Sequence, residues 1–573
     1  MTTFDGLELR EIMLSQAGAS RARENFLARA GLRAEPADYA VGIFDSDDNL
    51  VGTAALSGEV MTCVAVDDNL RDTAMANTLV SAILDYAFSR GIMNPKVFTK
   101  PEYAPVFRSL GFVCVGEAPG AVLLEHDRRS LPAYLGRIGS ERVEGVKCGC
   151  IVMNVNPMTL GHLHLIRYAA SQVETLFIIP VADDPSTEFT YDERRRILTD
   201  VCASIENVRV LEGSGYAVSR STFPTYFLKE ITSATDTHIL LDLDIFARHI
   251  APALGVTVRF VGTEPSDPLT ARYNEIMRES LPKHGVEVVE IPRMSKEAKP
   301  VSASAVRRLL SEGRLAPCVS LTPAAAWPYM IGRLAVRALR MELDLTPKPG
   351  LVDRADSGAH DDMDYALMYR STEALRNPFV NIALASFSEV LPTAADLQPI
   401  GMAGEEAMLK ATGGVNTHKG ALFSLGLAVA AVSHLLASGH APGRDNLRET
   451  IRRIAATFKR AEGTHGAGVF SKYGIPTALD YAREGYPEVF EALDIENPHR
   501  ALLMLMSRIE DSNIYYRCGA DAAREVKGRS AAMLENFRVE DLPEMNREFS
   551  ARRISPGGAA DMLSLAFFLR SVL

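Results

Sequence analysis

The 573-residue chain lacks the marks of several protein classes. It carries only seven cysteines, far apart except for Cys148 and Cys150, and with no C-x-x-C pair, so neither a disulfide framework nor a zinc ribbon is indicated. It has no excess of positive charge. The formal net charge of −11 argues against a nucleic-acid partner, because affinity for a phosphate backbone comes from clustered Lys and Arg releasing counterions. No segment is fibrous or low in complexity, and no apolar run is long enough for a membrane span, which needs about 20 residues. The longest run, 421–436, contains Ser424, Ser433 and His434 and reads as a buried core helix. The first ten residues mix acidic and basic side chains without an apolar stretch, so they do not read as a secretory signal. The expectation is a cytoplasmic protein with no membrane partner.

What is present suits a soluble globular chain of several domains, with 47% apolar and 23% charged residues. Three domains are expected: 1–140, 145–315 and 324–573. In the first, three short β-rich runs (YAVGIFD, LVGTAALS, VMTCVAV) precede a helix around 74–90 that puts Leu79, Val80, Ile83, Leu84 and Ala87 on one face, and KVFTK follows as a strand. In the second, the apolar run CGCIVMNV, with Cys148 and Cys150 as buried thiols, opens a doubly wound parallel sheet continued by LFIIPV, HILLDL, VTVRFVG and VEVVEI. After Pro317 strand patterns vanish and amphipathic helices dominate; the first carries Ile331, Leu334, Ala335, Ala338 and Leu339 at helical spacing and ends at Pro347 and Pro349. The basic clusters Arg194-Arg195-Arg196 and Arg452-Arg453 read as solvated helix faces.

The first module resembles a GNAT acetyltransferase domain, with Arg71 opening RDTAMA before the helix and F-x-x-L-G-F at 107–112. Ala74 and Ala76 stand where that family uses glycines to bring backbone N–H groups onto a pyrophosphate. A recognition or structural module is therefore expected rather than an active acetyltransferase.

The second domain carries the first chemical constellation. Residues 154–162, N-V-N-P-M-T-L-G-H, sit between a strand and a helix, where helix N–H groups and the macrodipole favour phosphate. Gly161 allows close approach of that backbone. His162 is placed to donate to an α-phosphate as charge builds during displacement of pyrophosphate. Downstream, V-S-A-S-A-V-R at 301–307 offers Ser302 as a helix N-cap with Ser304 and Arg307 on the first turns, a second anion element. Together these resemble the nucleotidyltransferases that use an H-x-G-H loop and an S-x-S/T-x-x-R helix. The match is nearest to the citrate lyase ligase family, whose T-x-G-H is met by Thr159, and it runs over 149–310 through YDERRRIL, SRSTFPTYF, DLDIFARHIAPALG and RFVGTEPSDPLTARYN.

That resemblance implies a cytidylyltransferase-like, Rossmann-like domain. It would adenylate acetate with ATP, release pyrophosphate, and acetylate the prosthetic-group thiol on the acyl carrier protein subunit of citrate lyase. It implies catalytic roles for Thr159, His162 and Arg307, and ATP binding by Asn156, Gly161, Arg220, Thr263, Glu264, Ser302 and Ser304, with Arg220 clamping acetate or a phosphate. Mg2+ is expected, because the leaving pyrophosphate needs neutralising charge.

In the helical domain four loops join acids, cations and glycines: TPKPGLVDRADSGAHDDMD from 346, ATGGVNTHKGALF from 411, GTHGAGVFSKYG from 463 and RISPGGAADML from 553. Such loops between plain apolar helices mark a nucleotide site. The second loop lacks the Walker A order, so kinase chemistry is disfavoured. Lys348, Arg354, His360, Glu405, Asn416, His418, Lys419, His465, Asn513 and Asp561 are candidates for nucleotide or phosphate binding, Gly413, Gly414 and Gly420 for admitting it, and Asp362, Asp364 and Asp511 for Mg2+. The segments PKPGLVDR, GAHxDMD, ATGGVNTHKGA, THG, DSN and SPGGxAD are similar to the triphosphoribosyl-dephospho-CoA synthase family over nearly all of 324–573. The family resemblance implies transfer of the triphosphoribosyl unit of ATP to the ribose 2'-hydroxyl of 3'-dephospho-CoA with loss of adenine. Cleaving an N-glycosidic bond gives an oxocarbenium-like transition state, so Asp353, Asp362, Asp364 and Asp511 are the catalytic candidates. Leu479 and Tyr481 replace a usual Arg and Glu, and Cys518 a usual glycine. The alternatives to activation of citrate lyase are service to malonate decarboxylase and a carrier-protein docking scaffold with degenerate sites.

Overall fold

The computed structural model describes the chain apart from residues 1–2, 5–6, 71–72, 183–187, 220–234, 265–266, 297–298 and 461–464. It forms two compact units, Met1–Val301 and Ser302–Leu573.

The first unit contains two sheets. The N-terminal one has eight strands: β1 (Thr3–Phe4), β2 (Leu7–Glu11), β3 (Tyr39–Phe44), β4 (Leu50–Ser57), β5 (Val60–Val66), β6 (Lys96–Thr99), β7 (Val113–Ala118) and β8 (Ala121–Glu125). Their order is β1-β2-β3-β4-β5-β6-β8-β7. All neighbours are antiparallel except β5 and β6, which run parallel and pair only through Val60–Lys96 and Met61–Val97. The helix α1 (Ala17–Arg29) precedes β3, and α2 (Thr73–Ser89) separates β5 from β6. The α2 stripe predicted from spacing is the buried one: Leu79, Val80, Ile83 and Ala87 are fully enclosed and Leu84 nearly so. Arg71 lies outside the described residues.

The second sheet holds β9 (Cys148–Met153), β10 (Thr175–Pro180), β11 (Val208–Val210), β12 (Val256–Gly262) and β13 (Glu287–Ile291), all parallel, in the order β11-β10-β9-β12-β13. The chain runs outward from β9 to β11, then returns to the other side of β9. The strand order therefore reverses between β9 and β12, and in such sheets ligands bind beyond the carboxyl ends of the strands at that point. Cys148 and Cys150 on β9 are fully buried.

One expected strand is a helix. HILLDL lies in the helix Thr235–Ile245. Its run of apolar residues is enclosed on nearly every side, and periodicity cannot separate a buried strand from a buried helix. The edge position in the sheet is taken by β11, three residues long.

The second unit is helical among its described residues. It opens with the helix Ala303–Ser311, which packs on Trp327–Asp344; Arg337 Nε donates to the carbonyl of Ser311 at 2.9 Å. This packing counts the helix with the second unit, although its sequence motif groups it with 145–315. The 19-residue helix Lys419–Ala437 is long and apolar enough to cross a membrane, but 83% of its apolar window is buried inside the fold.

Candidate functional site

At the switch point, Asn156 is buried and joined to Pro157 by a cis peptide; its Oδ1 accepts from the backbone N–H of Phe189 at 3.3 Å. Thr159 caps the helix Leu160–Gln172. The backbone N–H of Thr159 donates to His162 Nδ1 at 3.0 Å, and the His162 N–H donates to Thr159 Oγ1 at 3.3 Å. A ring nitrogen that accepts a backbone N–H carries no proton, so His162 is held as the Nε2–H tautomer. Withdrawal from water, and then the charge of Arg293, lower its pKa to about 4. The imidazole is thus a neutral donor at physiological pH.

Gly161 is pressed by the backbone of Val301: a Cβ there would lie 3.3 Å from the Val301 carbonyl oxygen. Thr263 and Glu264 follow β12 across the switch point. Thr263 Oγ1 accepts the Arg293 N–H at 3.0 Å, and Glu264 pairs with the Arg293 guanidinium at 2.7 Å. Arg220 lies outside the described residues. Ser302 caps Ala303–Ser311 as predicted, its Oγ accepting from Ala305 N at 3.2 Å, and Arg307 reaches Ser304 Oγ at 3.5 Å.

Arg194 corrects the sequence reading. Arg195 and Arg196 are exposed, but Arg194 is buried. Its Nη1 donates to the carbonyl of Asn154 (2.8 Å), to Asn154 Oδ1 (2.7 Å) and to the carbonyl of Val181 (2.8 Å), while Nε reaches the Phe189 carbonyl at 3.2 Å. It ties the loop after β9 to the end of β10. The signal was available: Arg194 shares a helical stripe with the buried Ile197 and Leu198.

In the helical unit the loops meet through polar side chains. Lys348 is buried, its ammonium paired with Glu342 and donating to the Glu342 carbonyl at 2.8 Å. Asp353 accepts the Lys348 N–H at 2.9 Å and the Ala355 N–H at 2.7 Å, bracing its own loop. Arg354 pairs with Asp344 at the surface. His360 Nε2 lies 2.8 Å from Ser555 Oγ, with Arg517 beside the ring, joining the first loop to the fourth. Burial, followed by Arg517, lowers the pKa of His360. Asp362 is exposed near His360, and Asp364 caps the helix Tyr365–Ala374.

In the second loop His418 is buried. Its Nδ1 meets Ser371 Oγ at 2.7 Å, and its Nε2 has no hydrogen-bond partner among the described residues. Burial, then Lys348, drop its pKa to about 3. Asn416 Oδ1 accepts the Lys419 N–H at 3.4 Å, and Lys419 pairs with Glu405. Gly413 and Gly414 adopt φ of +67° and +95° with open space where side chains would stand, a backbone that only glycine takes without strain.

Two carboxylates fill helix N-termini. Asp511 accepts from the N–H of Asn513 at 2.9 Å and of Ala559 at 3.0 Å, so it caps both its own helix and Gly557–Val572. Burial raises its pKa to about 6. Asp561 accepts from the Ala421 N–H, and its burial, then Asp511 and Glu342, push its pKa well above the usual range. A Cβ on Gly420 would sit 2.0 Å from Asp561 Oδ2. The space under Gly420, expected to admit phosphate, is occupied by that carboxylate. The Asn513 side chain lies against Gly557. His465 opens the helix His465–Tyr473, and its side chain lies outside the described residues. Among the described residues no three His, Cys, Asp or Glu side chains gather as a metal site, so Asp362, Asp364 and Asp511 do not form one together.

The family described as citrate lyase ligase C-terminal domain matches residues 148–330, and that described as ATP:dephospho-CoA triphosphoribosyl transferase matches 328–573. The citrate (pro-3S)-lyase ligase of Klebsiella pneumoniae is 37% identical over 324 residues, 56% of this chain and 94% of that protein. The ligase of Escherichia coli (strain K12) is 38% identical over 290 residues, 50% of this chain and 82% of that protein. The 2-(5''-triphosphoribosyl)-3'-dephosphocoenzyme-A synthase of Pectobacterium atrosepticum is 34% identical over 264 residues, 42% of this chain and 88% of that protein. The chain belongs to both families.

The synthase part carries its departures in packed positions. Leu479 and Tyr481 are buried, and Tyr481 Oη accepts the Glu510 N–H at 2.7 Å, beside Asp511. The thiol of Cys518 lies 3.4 Å from the carbonyl of Arg553. These residues support the loops they touch.

Proposed function

We infer that the chain is a bifunctional activator of citrate lyase, with an ATP-dependent, AMP-forming ligase and a triphosphoribosyl-dephospho-CoA synthase on one polypeptide. The observation that carries this is that relatives of both kinds align over most of their own length, side by side on this chain. Service to malonate decarboxylase accounts for the synthase part alone, and the ligase part disfavours it.

In the ligase half, the acetate carboxylate attacks the α-phosphorus of ATP, the bond to the β-phosphate oxygen breaks and pyrophosphate leaves. The carrier's prosthetic-group thiol then attacks the acetyl carbon, loses its proton and expels AMP. The Nε2–H of His162 is the donor for the charge that builds on the α-phosphate, held in place by Thr159. Arg194 fixes the loop that presents it. By the family resemblance, Asn156, Gly161, Thr263, Glu264, Ser302, Ser304 and Arg307 are proposed as further residues for ATP. Arg220 remains the proposed clamp for acetate or a phosphate.

In the synthase half, the 2'-hydroxyl of 3'-dephospho-CoA attacks the ribose C1 of ATP and adenine departs. His418 and Lys419 belong to the second loop, with Glu405 of the helix Ala394–Thr412 paired to Lys419, and His360, Arg517 and Asn513 lie together with Ser555 and Gly557 of the fourth loop. Asp511 already holds two backbone N–H groups, Asp353 braces its loop and Asp364 caps its helix, which leaves Asp362 as the more available of the four candidate carboxylates. Mg2+ on this reading arrives on the phosphates of ATP, where it neutralises the charge of the leaving pyrophosphate or of the triphosphate. The GNAT-like module is proposed as a recognition or structural element, supported by its parallel β5–β6 pair and by the alanines at 74 and 76.

The test is direct. Incubation with ATP and dephospho-CoA should release adenine, and incubation with ATP, acetate and the thiol form of the carrier should release pyrophosphate. A folded protein that does neither is the degenerate scaffold instead.

A further inference from the structure

A cleft of about 170 Å³ lies between two helices of the second unit, Ala394–Thr412 and Lys419–Ala437. One wall is a single stripe of the first helix, Gln398, Gly401, Met402 and Glu405, at the spacing that puts residues on one helical face. The opposite wall includes Leu422 and Phe423 of the second helix, and Phe458 closes one side; the two phenyl rings meet edge to face at 5.7 Å and 86°. The floor is apolar. The rim is not: the Lys419–Glu405 ion pair stands at one end and the exposed Gln398 amide lines the wall.

Three features of the cleft suit a flat aromatic ligand rather than a core defect. Met402 is 64% exposed at its edge, and a thioether there makes favourable contact with a ring. Gly401 opens onto empty space, with no atom within 4 Å of where a side chain would begin, so the helix leaves a face uncovered. The volume equals that of roughly five or six waters at liquid density, the scale of one bicyclic base and too small for a base with its sugar and phosphates.

We propose that this cleft holds the adenine ring of a substrate nucleotide, with Gln398 reading the edge of the base and the Lys419–Glu405 pair at the point where ribose and phosphates emerge toward the Gly413-Gly414 loop. The inference rests on the synthase reading of that loop. A Gln side chain donates and accepts at once, which matches the N6 and N7 positions of adenine and opposes guanine. Apolar walls supply stacking, and stacking alone does not choose between bases.

Both substrates of the synthase reaction contain adenine, and the experiment separates the two sources. Gly401→Phe puts a ring on the cleft wall at a position where the first side-chain atom meets nothing within 4 Å; Gly401→Leu is the smaller companion should the first fail to fold. With the full chain, formation of triphosphoribosyl-dephospho-CoA is followed by mass spectrometry while ATP and dephospho-CoA are varied in turn, with free adenine as inhibitor. The expected result is a rise of about tenfold or more in the KM of one substrate and loss of adenine inhibition. Pyrophosphate release by the ligase half should keep its KM for ATP. The substrate whose KM rises names the base that sits in the cleft. Gln398→Ala should narrow the preference for ATP over GTP, or for dephospho-CoA over its guanine analogue, by about tenfold. Unchanged KM for both substrates with unchanged adenine inhibition in Gly401→Phe overturns the proposal. If Lys419→Ala abolishes product while Gly401→Phe is silent, only the cleft is wrong; if both variants keep full activity, the reading of the loop fails with it.

Discussion

Arg194 is enclosed by carbonyl oxygens from three segments of the ligase part. Replacing it with Met would strand those acceptors, each costing roughly 1–3 kcal/mol when buried and unmatched. Arg194→Met should therefore lower the unfolding free energy by about 3 kcal/mol or more in chemical denaturation. Arg194→Lys keeps the charge but loses the planar fork, and should raise the ligase KM for ATP in a chain that still folds. His162 makes the complementary case, because its value lies in not being charged. Its folded pKa of about 4 lies below the ordinary histidine value, so its contribution to stability is present above about pH 6.5 and is lost as pH falls toward 4. The rate of pyrophosphate release should show no histidine inflection on its acid side between about pH 5 and 8. An inflection near 6.5 that disappears in His162→Asn would show that the imidazole titrates normally and is not the neutral donor described here.

Between elements, the helix N-termini of the synthase part are held by carboxylates that arrive from elsewhere in the chain. Asp561, on Gly557–Val572, presses on Gly420 at the start of Lys419–Ala437. In an ordinary helix Gly→Ala stabilises by about 1 kcal/mol; at 420 the added methyl meets the Asp561 carboxylate, and the crowding should cost about 1–3 kcal/mol. In an Asp561→Ala background the obstacle is gone, so the same Gly420→Ala change should become neutral or stabilising. Thermal unfolding of the four proteins in this cycle gives the sign directly; a destabilising effect of equal size in both backgrounds would remove Asp561 as its cause. This arrangement also marks the limit of what could be read beforehand. The stripe of Leu79, Val80 and Ile83 and the Ser302 cap depend on residues a few positions apart, and their sequence spacing announced them; the Thr159–His162 pair is as local, but the motif marked its two residues without their pairing. The pairing of Asp511 with Ala559 spans 48 positions, and a glycine-rich loop looks the same whether it admits a phosphate or the protein's own carboxylate. The run HILLDL misled for a related reason: enclosed on nearly all sides, it carries no periodicity to separate helix from strand.

At the scale of the whole chain, the two family regions, 148–330 and 328–573, serve two reactions that share ATP and differ in the bond they break. The ligase half cuts at the innermost phosphorus and yields pyrophosphate; the synthase half cuts at the sugar carbon and yields adenine. The leaving groups are chemically distinct, so one preparation reports both reactions without cross-talk. His162→Ala removes the Nε2–H donor from the first site and should reduce pyrophosphate release by about 10²–10³-fold, the usual loss for one donor to a developing oxyanion, with adenine release unchanged. Lys419→Ala breaks the pair with Glu405 on the Gly-rich loop and should do the reverse. The surface pair itself contributes little to stability, about 0–1 kcal/mol, so a lost adenine signal in a chain with unaltered melting reports on chemistry rather than folding. Equal loss of both products in either folded variant would mean that the reactions draw on a common site, and two independent pockets could not then be maintained.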